Sequence, residues 1–391
     1  MLSVGIFTYS SKPRGSVVHA AYLAEALERR GARAMLYALA KPGDVFYRPL
    51  SCELRLIPAE AAPSEMDALI RQRIAEFQRG IHDLAPRHRI CHAQDCLAAN
   101  ALIASKTELG AASVVRTVHH VEHFESPYLT ACQERSVAEA DLVLSVSQVT
   151  RREVQAAFGR AAPVISNGVD FERFVAPLPE AEQALAARLR LEPDETLIAS
   201  VGGVEARKNS LAALEAVALA YAEHKRLRWV IAGGASIWEH DTYRQAFAER
   251  LAELPADLQA RITVLGTVSE AELTALYRLC QVLLCPSLQE GFGLCVLEAL
   301  SAKCAVIVPR GAPFDEYLDE RCARFVDPRS EAAIASALLG LLREPAVRRR
   351  LAEIGCERAQ HYSWDRVAER HLARYEALLR RAPSVAEREQ L

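Results

Sequence analysis

Short apolar segments typical of β-strands alternate with segments of helical periodicity along most of this chain, and the alternation starts twice. The first series begins with an apolar run at residues 2–9 and a helical pattern at residues 16–30. The second begins with an apolar run at residues 196–201 and a helical pattern at residues 210–224. Strands that alternate with helices in this way form parallel sheets covered on both faces. The sequence therefore predicts an α/β fold with two Rossmann-like domains.

A proline-containing segment between the two series predicts the boundary between the domains. We expect an N-terminal domain at residues 1–172, a linker at 173–194, a C-terminal domain at 195–362, a helix at 363–380 that crosses back to the N-terminal domain, and a tail at 381–391. In such folds ligands bind beyond the carboxyl ends of the strands. We therefore expect the active site in the cleft between the two domains.

The composition is that of an ordinary globular protein. Hydrophobic residues make up 51% of the 391 residues and charged residues 25%, which argues against a disordered or low-complexity chain. The net charge of −3 gives no electrostatic basis for nucleic-acid binding. No apolar run approaches the roughly 18 residues that a membrane span needs, and the first residues lack the pattern of a signal peptide.

The ten cysteines are scattered, and none belongs to a C-x-x-C pair. Zinc ligands usually occur in such close pairs, so we expect no metal site. A chain of this length can build a hydrophobic core without disulfides. We therefore expect reduced, mostly buried thiols in a cytoplasmic protein.

The most informative loop is the segment Glu290-Gly-Phe-Gly-Leu-Cys-Val-Leu-Glu298, which follows a strand pattern. Gly291 and Gly293 allow a ligand to approach the backbone. The helix that starts after them presents unpaired amides and the positive end of its dipole, and Glu290 and Glu298 can accept hydrogen bonds from hydroxyl groups. An anion flanked by polyhydroxy groups, as in a nucleotide-sugar, fits this pattern. The alternative is a glycine turn with two exposed glutamates.

A second loop places Arg207 and Lys208 just before a helical pattern. Each cation at the positive end of a helix opposes the dipole by roughly 0.3–1 kcal/mol when exposed, and an anion held between the two would remove this conflict. The alternative is a pair of solvated side chains. Asn209 or Ser210 is expected to cap the helix.

Two patterns in the first half are weaker. Gly15 and Ser16 follow the first strand, and His119 follows a strand pattern at residues 113–118, at the edge where ligands bind. A purely structural role stays open for all three residues. The chain contains neither a P-loop motif nor a complete G-x-G-x-x-G motif, so the usual mononucleotide and dinucleotide signatures are absent.

These segments together resemble the retaining glycosyltransferases of the GT-B fold that form family 4. Residues 290–298 match the E-x7-E motif of that family, and residues 201–209 resemble its diphosphate loop. In the first half, residues 13–19 resemble the family's glycine loop and first helix, and residues 92–95 resemble its H-A-x-D strand end. Residues 117–119 resemble the strand end whose histidine faces the donor sugar. The resemblance covers nearly the whole chain.

The resemblance implies transfer of a hexose from a nucleotide-diphosphate-sugar, with retention at the anomeric carbon and with neither a metal nor a cofactor. It implies front-face attack, with Arg207 and Lys208 neutralising the leaving diphosphate. The implied catalytic residues are His119, Arg207, Lys208 and Glu290. The implied substrate-binding residues are Gly15, Ser16, Gly233, Val268, Gly291, Phe292, Gly293, Leu294 and Glu298.

The acceptor stays open, and a small molecule, a glycan or a lipid are all compatible with the sequence. Residues 71–89 contain several arginines, but the stretch is short, so we expect membrane contact to be peripheral at most. Two other functions also stay open on the same fold: a non-catalytic nucleotide-sugar-binding protein and a nucleotide-sugar epimerase.

Overall fold

The computed structural model of the protein describes residues 1–82, 88–110, 112–234 and 241–381. The chain divides into two compact units. The first unit combines Met1–Gly168 with the segment that starts at Trp364, and the second unit is Val169–Ser363. Most of the predicted tail, residues 382–391, lies outside the described residues.

The strands are β1 (Ser3–Thr8), β2 (Arg33–Ala40), β3 (Glu53–Pro58), β4 (Ile90–Ala93), β5 (Ser113–Val118), β6 (Leu142–Ser145), β7 (Thr196–Val201), β8 (Leu227–Ala232), β9 (Ile262–Gly266), β10 (Val282–Leu284), β11 (Ala305–Pro309) and β12 (Arg324–Val326).

The helices are α1 (Gly15–Arg29), α2 (Met66–His82), α3 (Cys96–Ala104), α4 (Lys106–Leu109), α5 (Pro127–Ala138), α6 (Gln148–Phe158), α7 (Phe171–Val175), α8 (Pro179–Leu189), α9 (Ser210–Glu223), α10 (Asp241–Glu253), α11 (Ala256–Gln259), α12 (Glu270–Leu279), α13 (Leu294–Ser301), α14 (Glu331–Arg343), α15 (Pro345–Ala359) and α16 (Trp364–Arg381). A short 3-10 helix spans Phe314–Glu316.

Each unit contains one six-stranded parallel sheet. The strand order is β3-β2-β1-β4-β5-β6 in the first unit and β12-β11-β10-β7-β8-β9 in the second. With the strands of each unit counted from its own start, both orders are the 3-2-1-4-5-6 order of a Rossmann fold. The predicted α/β class with two Rossmann-like domains is confirmed.

Helices α1 and α16 cover part of the first sheet. Leu23 and Leu27 of α1 are fully buried, and the first turn of α16 forms ion pairs between Asp365 and both Arg29 and Arg30. The carboxyl ends of β1, β4 and β5 lie side by side, because these strands are parallel neighbours in register. The residues that follow these three strands therefore gather at one edge of the sheet.

The core of the second unit also contains aromatic side chains. Trp229 of β8 is fully buried among aliphatic side chains, and Tyr277 of α12 is fully buried. Strands β8, β7 and β10 are parallel neighbours, so the loops that follow them also share one edge. Those loops contain the glycines, cations and glutamates that the sequence singled out.

Two helices occupy the segment for which we predicted a linker. Helices α7 and α8 belong to the second unit and pack against α12. Phe174 is 1% exposed, and the guanidinium of Arg173 donates to Thr274 at 2.8 Å. Pro179 occupies the start of α8, a position where proline leaves no intrahelical hydrogen bond unmade. The proline that suggested a linker is therefore a helix start.

The ten cysteines are free thiols, of which Cys96 is half-buried and the others are buried. None of the helices in the described part of the chain combines the length and apolar character that crossing a bilayer requires.

Candidate active site

Glycines bring the loops after β7 and β8 into backbone contact. The amide of Gly202 donates to the carbonyl of Ala232 at 2.8 Å, and the amide of Gly233 donates to the carbonyl of Gly266 at 2.7 Å. Gly233 has a φ of +124°, and a Cβ at this position would lie 2.5 Å from the amide nitrogen of Gly203. The packing of these loops therefore requires glycine at position 233. Val268, half-buried, follows β9 at the same edge.

A buried ion pair joins the two loops that the sequence singled out. The Nζ of Lys208 lies 2.5 Å from Oε1 of Glu290, and the two side chains are 13% and 9% exposed. Ser287 donates a hydrogen bond to the same carboxylate oxygen at 2.9 Å. Glu290 is therefore not the exposed glutamate of the alternative interpretation.

The charges of this pair determine the pKa values of both groups. Burial raises the pKa of Glu290, but the nearby Lys208 and Arg207 outweigh burial, and the net pKa is lowered. Burial lowers the pKa of Lys208, but the Glu290 carboxylate outweighs that effect, and the net pKa is raised. Both groups are therefore charged at neutral pH.

Arg207 extends from the same loop and is half-exposed. Its Nε lies 2.8 Å from a carboxylate oxygen of the buried Glu205, and its Nη1 lies 3.9 Å from Oε2 of Glu290. The carboxylates of Glu205 and Glu290 thus partly offset the unfavourable interaction of the two cations with the dipole of α9. A lysine ammonium has three donors and an arginine guanidinium five, so the pair can serve a ligand in addition to these carboxylates.

The start of α13 is braced by aromatic side chains. Phe292 stacks on Tyr317 with ring centroids 4.9 Å apart, and the hydroxyl of Tyr317 donates to the carbonyl of Phe292 at 3.0 Å. Gly293 precedes the helix with a φ of +87°, and a Cβ there would lie 2.6 Å from a ring carbon of Phe314. The first amides of a helix have no intrahelical acceptor, so this rigid turn presents donors beginning at Leu294.

Glu298 lies within α13 and is also not an exposed side chain. Its Oε2 accepts a hydrogen bond from the hydroxyl of Tyr277 at 2.8 Å. Burial raises the pKa of Glu298, and this effect outweighs Arg173 and Tyr277, which lower it. The carboxylate keeps acceptor capacity beyond the one hydrogen bond from Tyr277.

Asn209 has a role that sequence reasoning missed. We expected Asn209 or Ser210 to cap α9, but Asn209 adopts a φ of +59° and its side chain makes no capping hydrogen bond. Its side-chain amide donates instead to the carbonyls of Pro286, at 3.2 Å, and Pro328, at 2.6 Å. Asn209 therefore ties the loop of Lys208 to the loop of Glu290.

Gly15, Ser16 and His119 belong to the first unit. Gly15 and Ser16 are the first residues of α1, and a Cβ at position 15 would meet no atom within 4 Å. His119 directly follows β5, and its Nε2 lies 3.0 Å from Oε1 of Gln94. An amide oxygen only accepts, so Nε2 carries the proton and Nδ1 of His119 is left as an acceptor.

Four histidines of the first unit form a contiguous cluster. The ring centroids of His19 and His119 are 4.9 Å apart, those of His19 and His371 are 6.0 Å apart, and those of His92 and His371 are 5.6 Å apart. Burial is the main cause that lowers the pKa of each ring, to about 3 for His19 and about 4 for His371. The pKa values of His92 and His119 also lie well below 6.5, mainly through burial. The cluster is therefore neutral at physiological pH.

Hydrogen bonds connect this cluster to α16. His92 lies 2.7 Å from the hydroxyl of Tyr375 and 2.7 Å from the hydroxyl of Thr117. Gln94 lies 3.3 Å from His92 on one side and 3.0 Å from His119 on the other. His92 is a structural residue within this network.

The second unit thus brings Arg207, Lys208 and Glu290 together beside the start of α13. Sequence reasoning missed their supporting partners Ser287, Asn209, Tyr277 and Tyr317. Asn209 carried a signal as an expected helix cap, and Ser287 lies three residues before Glu290. The described residues contain no cluster of three or more His, Cys, Asp or Glu placed to hold a metal ion.

Two protein-family models match the chain, one in each half. The model described as glycosyltransferase family 4 matches residues 13–173. The model described as glycosyl transferases group 1 matches residues 182–358. The second match contains the Lys208–Glu290 pair and α13.

Individual curated proteins and solved structures are also similar to this chain. The D-inositol 3-phosphate glycosyltransferase of Corynebacterium glutamicum is 29% identical over 250 residues, which are 61% of this chain and 58% of that protein. The chain thus spans a little over half the length of that relative.

Among solved structures, sucrose-phosphate synthase of Thermosynechococcus elongatus has a TM-score of 0.78 at 20% identity, covering 97% of this chain and 99% of that chain. Anabaena HepE in complex with UDP and glucose has a TM-score of 0.79 at 16% identity, covering 96% of this chain and 100% of that chain. These two likenesses establish the GT-B fold.

Proposed function

The chain belongs to the glycosyltransferase family 4 group, and we propose that it transfers a hexose from a nucleotide-diphosphate-sugar to an acceptor with retention at the anomeric carbon. The observation that carries the proposal is the buried pair of Lys208 and Glu290, 2.5 Å apart, beside Arg207 and the start of α13. An intact pair of cations beside helix amides is suited to a diphosphate.

Arg207 and Lys208 stabilise the negative charge that develops on the leaving diphosphate. Stabilisation of developing charge by fixed groups in a water-poor site is commonly the largest contribution to catalysis. Lys208 is largely buried and its pKa is raised, mainly because the Glu290 carboxylate outweighs the effect of burial. It therefore stays protonated when the diphosphate departs. Glu290 holds the ammonium in place and accepts hydrogen bonds from the donor sugar.

The start of α13 binds the phosphates and the ribose. The amides of Phe292, Gly293 and Leu294 donate to phosphate oxygens, and Gly291 lets the ligand approach the chain. Glu298 accepts hydrogen bonds from the ribose hydroxyls, held in position by Tyr277. Gly233 and Val268 follow β8 and β9 and line the place of the nucleobase.

The reaction proceeds by front-face attack. The bond from the anomeric carbon to the diphosphate oxygen breaks as the acceptor oxygen bonds to the same face of that carbon. The proton of the acceptor hydroxyl passes to the departing diphosphate oxygen, so the protein needs no nucleophile of its own. His119, neutral because burial lowers its pKa, contacts the sugar as a hydrogen-bonding group, and Gly15 and Ser16 contribute the start of α1.

Nucleotide release from a panel of sugar donors tests this proposal. The protein is incubated with UDP-glucose, GDP-mannose and ADP-glucose and with extract-derived acceptors, with and without a chelator. We expect one donor to release its nucleoside diphosphate with an α-linked glycoside as product, and the chelator to have no effect. A changed sugar still attached to its nucleotide identifies an epimerase, and donor binding without turnover identifies a binding protein. Either result contradicts the proposal.

A further inference from the structure

Arg116 is a buried cation of the first unit that the proposed reaction does not use. It lies in β5, three residues before His119, and is 7% exposed. One guanidinium nitrogen, Nη1, donates to the carbonyl of Thr117, and Nε has no hydrogen-bond partner. Among the described residues, Arg116 forms no ion pair with any carboxylate. A guanidinium offers five donors and stays charged at neutral pH, so this charge is desolvated without a counterion.

Two other arginines with low exposure, the buried Arg228 and the half-buried Arg48, are paired with carboxylates. Arg228 of β8 is 8% exposed, and its Nε and Nη2 lie 3.1 and 3.2 Å from the carboxylate of Glu195. Arg48 lies 2.6 Å from a carboxylate oxygen of Glu25. An unpaired buried charge is costly to folding. The contrast with Arg228 shows that the fold can provide a partner for an arginine inside a strand, and that it does not do so at position 116.

Asp95 is the acidic residue that acts on Arg116 electrostatically, but its oxygens are committed elsewhere. One carboxylate oxygen accepts from the amide of Ala98 at 2.8 Å, at the start of α3, and the other accepts from the amide of Tyr9 at 2.8 Å. Burial raises the pKa of Asp95 to about 6. Asp95 therefore fixes the ends of two elements and acts on Arg116 electrostatically without forming a direct ion pair with it.

The position of Arg116 in the sheet indicates what its partner is. Gln94 and Asp95 follow β4, and His119 follows β5, so all three lie at the carboxyl edge of neighbouring parallel strands. Arg116 pairs with Ala93 in this register, and its charge contributes to the lowered pKa of His119, after burial and the neighbouring His19. The carboxyl edge of such a sheet is where ligands bind.

We infer that Arg116 binds an anionic group, a phosphate or a carboxylate, on the molecule that occupies the carboxyl edge of the first sheet. The inference rests on the proposed function, because the occupant it specifies is the sugar acceptor. The bound oxyanion provides the missing counterion and accepts from the donors that Arg116 does not use within the protein. The acceptor is therefore an anionic molecule rather than a neutral sugar.

The stability of two matched variants separates a ligand-binding arginine from a structural one. Arg228→Met removes two hydrogen bonds from the buried carboxylate of Glu195, which keeps Arg261 as an ion-pair partner, and we expect the melting temperature to fall by roughly 3–5 °C. Arg116→Met removes a charge that forms no ion pair, and Asp95 keeps its two hydrogen bonds to backbone amides, so its melting temperature should stay within about 1 °C of the wild type or exceed it. A fall comparable to that of Arg228→Met, or failure of Arg116→Met to fold, overturns the inference, because Arg116 is then a structural residue.

Anion binding provides the second readout. Inorganic phosphate and acetate are titrated at constant ionic strength into Lys208→Met, whose donor site is weakened, and into the double variant Lys208→Met, Arg116→Met, with the melting temperature as the signal. We expect at least one of the two anions to raise the midpoint of Lys208→Met by about 1 °C or more, and to raise that of the double variant clearly less. Whichever anion acts identifies the acceptor group as a phosphate or a carboxylate.

The outcomes also separate this inference from the proposed function. If the anion effect is absent in Lys208→Met, or is equally large in the double variant Lys208→Met, Arg116→Met, the anion does not bind at Arg116 and the inference is overturned. Binding of UDP, GDP and ADP to the same proteins is measured in parallel. Retention of nucleotide affinity in Lys208→Met contradicts the proposed donor site, whatever Arg116 does.

Discussion

The two units share one strand order but place different chemistry at the carboxyl edges of their sheets. The second unit has the buried ion pair of Lys208 and Glu290, with Arg207 beside it. The first unit has neutral imidazoles, of which His119 and His92 are bridged by the amide of Gln94, and one buried cation, Arg116 of β5. Sheet topology therefore fixes where a ligand binds, whereas the side chains at the carboxyl ends of the strands determine which ligand groups bind there. The charged loops of the second unit suit a diphosphate, the neutral imidazoles of the first suit a sugar ring, and Arg116 suits the anionic group inferred for the acceptor.

The largest expected difference between the units is their response to acid. The pKa values of His19, His92, His119 and His371 are lowered, mainly by burial, so the unfolded chain binds protons that the folded unit does not. Stability is full above pH 6.5 and falls as the pH decreases below it. Each ring contributes about 1 kcal/mol between pH 6.5 and 5.5, or about 4 kcal/mol for the cluster.

Hydrogen exchange resolved by peptide measures this response in each unit. Peptides from β1, β4 and α16 should lose protection between pH 7 and 5.5, after correction for the intrinsic exchange rate. Peptides from β7 and β8 should keep theirs, because the pKa of Glu290 is lowered and its contribution is lost only below about pH 4.5. His371→Met should reduce the response by about a quarter, and replacement of the exposed His82 should not change it. Equal loss of protection in both units would contradict the predicted difference in their response to acid.

Breaking the ion pair of the second unit is the next largest effect. Lys208→Met leaves Glu290 buried without its partner, and we expect a loss of about 3 kcal/mol in the free energy of unfolding. Nucleoside diphosphate affinity should fall by about 1.5–3 kcal/mol, the scale of a hydrogen bond to a charged group.

Urea denaturation and titration calorimetry measure these two quantities. The double variant Lys208→Met, Glu290→Gln removes both charges and should recover much of the stability without recovering affinity. Recovery of both would show that Lys208 only supports the fold.

Glycine substitutions compare the helix starts of the two units. Gly293→Ala places a Cβ 2.6 Å from Phe314 at a φ of +87°, and we expect a loss of about 2 kcal/mol in stability. Gly15→Ala meets no atom within 4 Å, so its stability should change by less than about 0.5 kcal/mol. Thermal or urea denaturation measures both changes, and a loss of similar size in the two variants would refute the account of the Gly293 turn.

The smallest expected effect concerns the support of Glu298. Tyr277→Phe removes the hydroxyl that donates to Glu298 at 2.8 Å, which we expect to cost about 1 kcal/mol in stability. Because that hydrogen bond also lowers the pKa of Glu298, the carboxylate should protonate more readily, and nucleotide affinity should weaken several-fold more at pH 5.5 than at pH 7.5. Calorimetry at the two pH values is the measurement. An affinity independent of Tyr277 would place the ribose away from Glu298.

The sequence predicted the parts of the second unit that depend on local pattern. The strand before Pro286, the glycine turn and α13 are all readable from apolar periodicity and glycine positions. The sequence led us to expect that Lys208 and Glu290 bind the same ligand, but not that they contact each other. Their direct contact depends on how the two loops pack together. Tyr277 supports Glu298 across 21 residues of sequence, and no local pattern reports such a contact.

Fewer features of the first unit could be predicted from the sequence. Strand β3 at Glu53–Pro58 is an edge strand in which charged residues alternate with leucines, so no continuous apolar run marks it in the sequence. The missing partner of Arg116 is likewise invisible in the sequence, since a strand arginine is buried or exposed, and paired or unpaired, according to tertiary packing.

A crystal structure with a bound nucleoside diphosphate tests the central claim most directly. Crystals grown with UDP, GDP or ADP should show the phosphates within hydrogen-bond distance of the Nζ of Lys208 and of the amides at Gly293 and Leu294, with the ribose hydroxyls on Glu298. A nucleotide bound with its phosphates several ångströms from both Lys208 and the start of α13 would contradict the account.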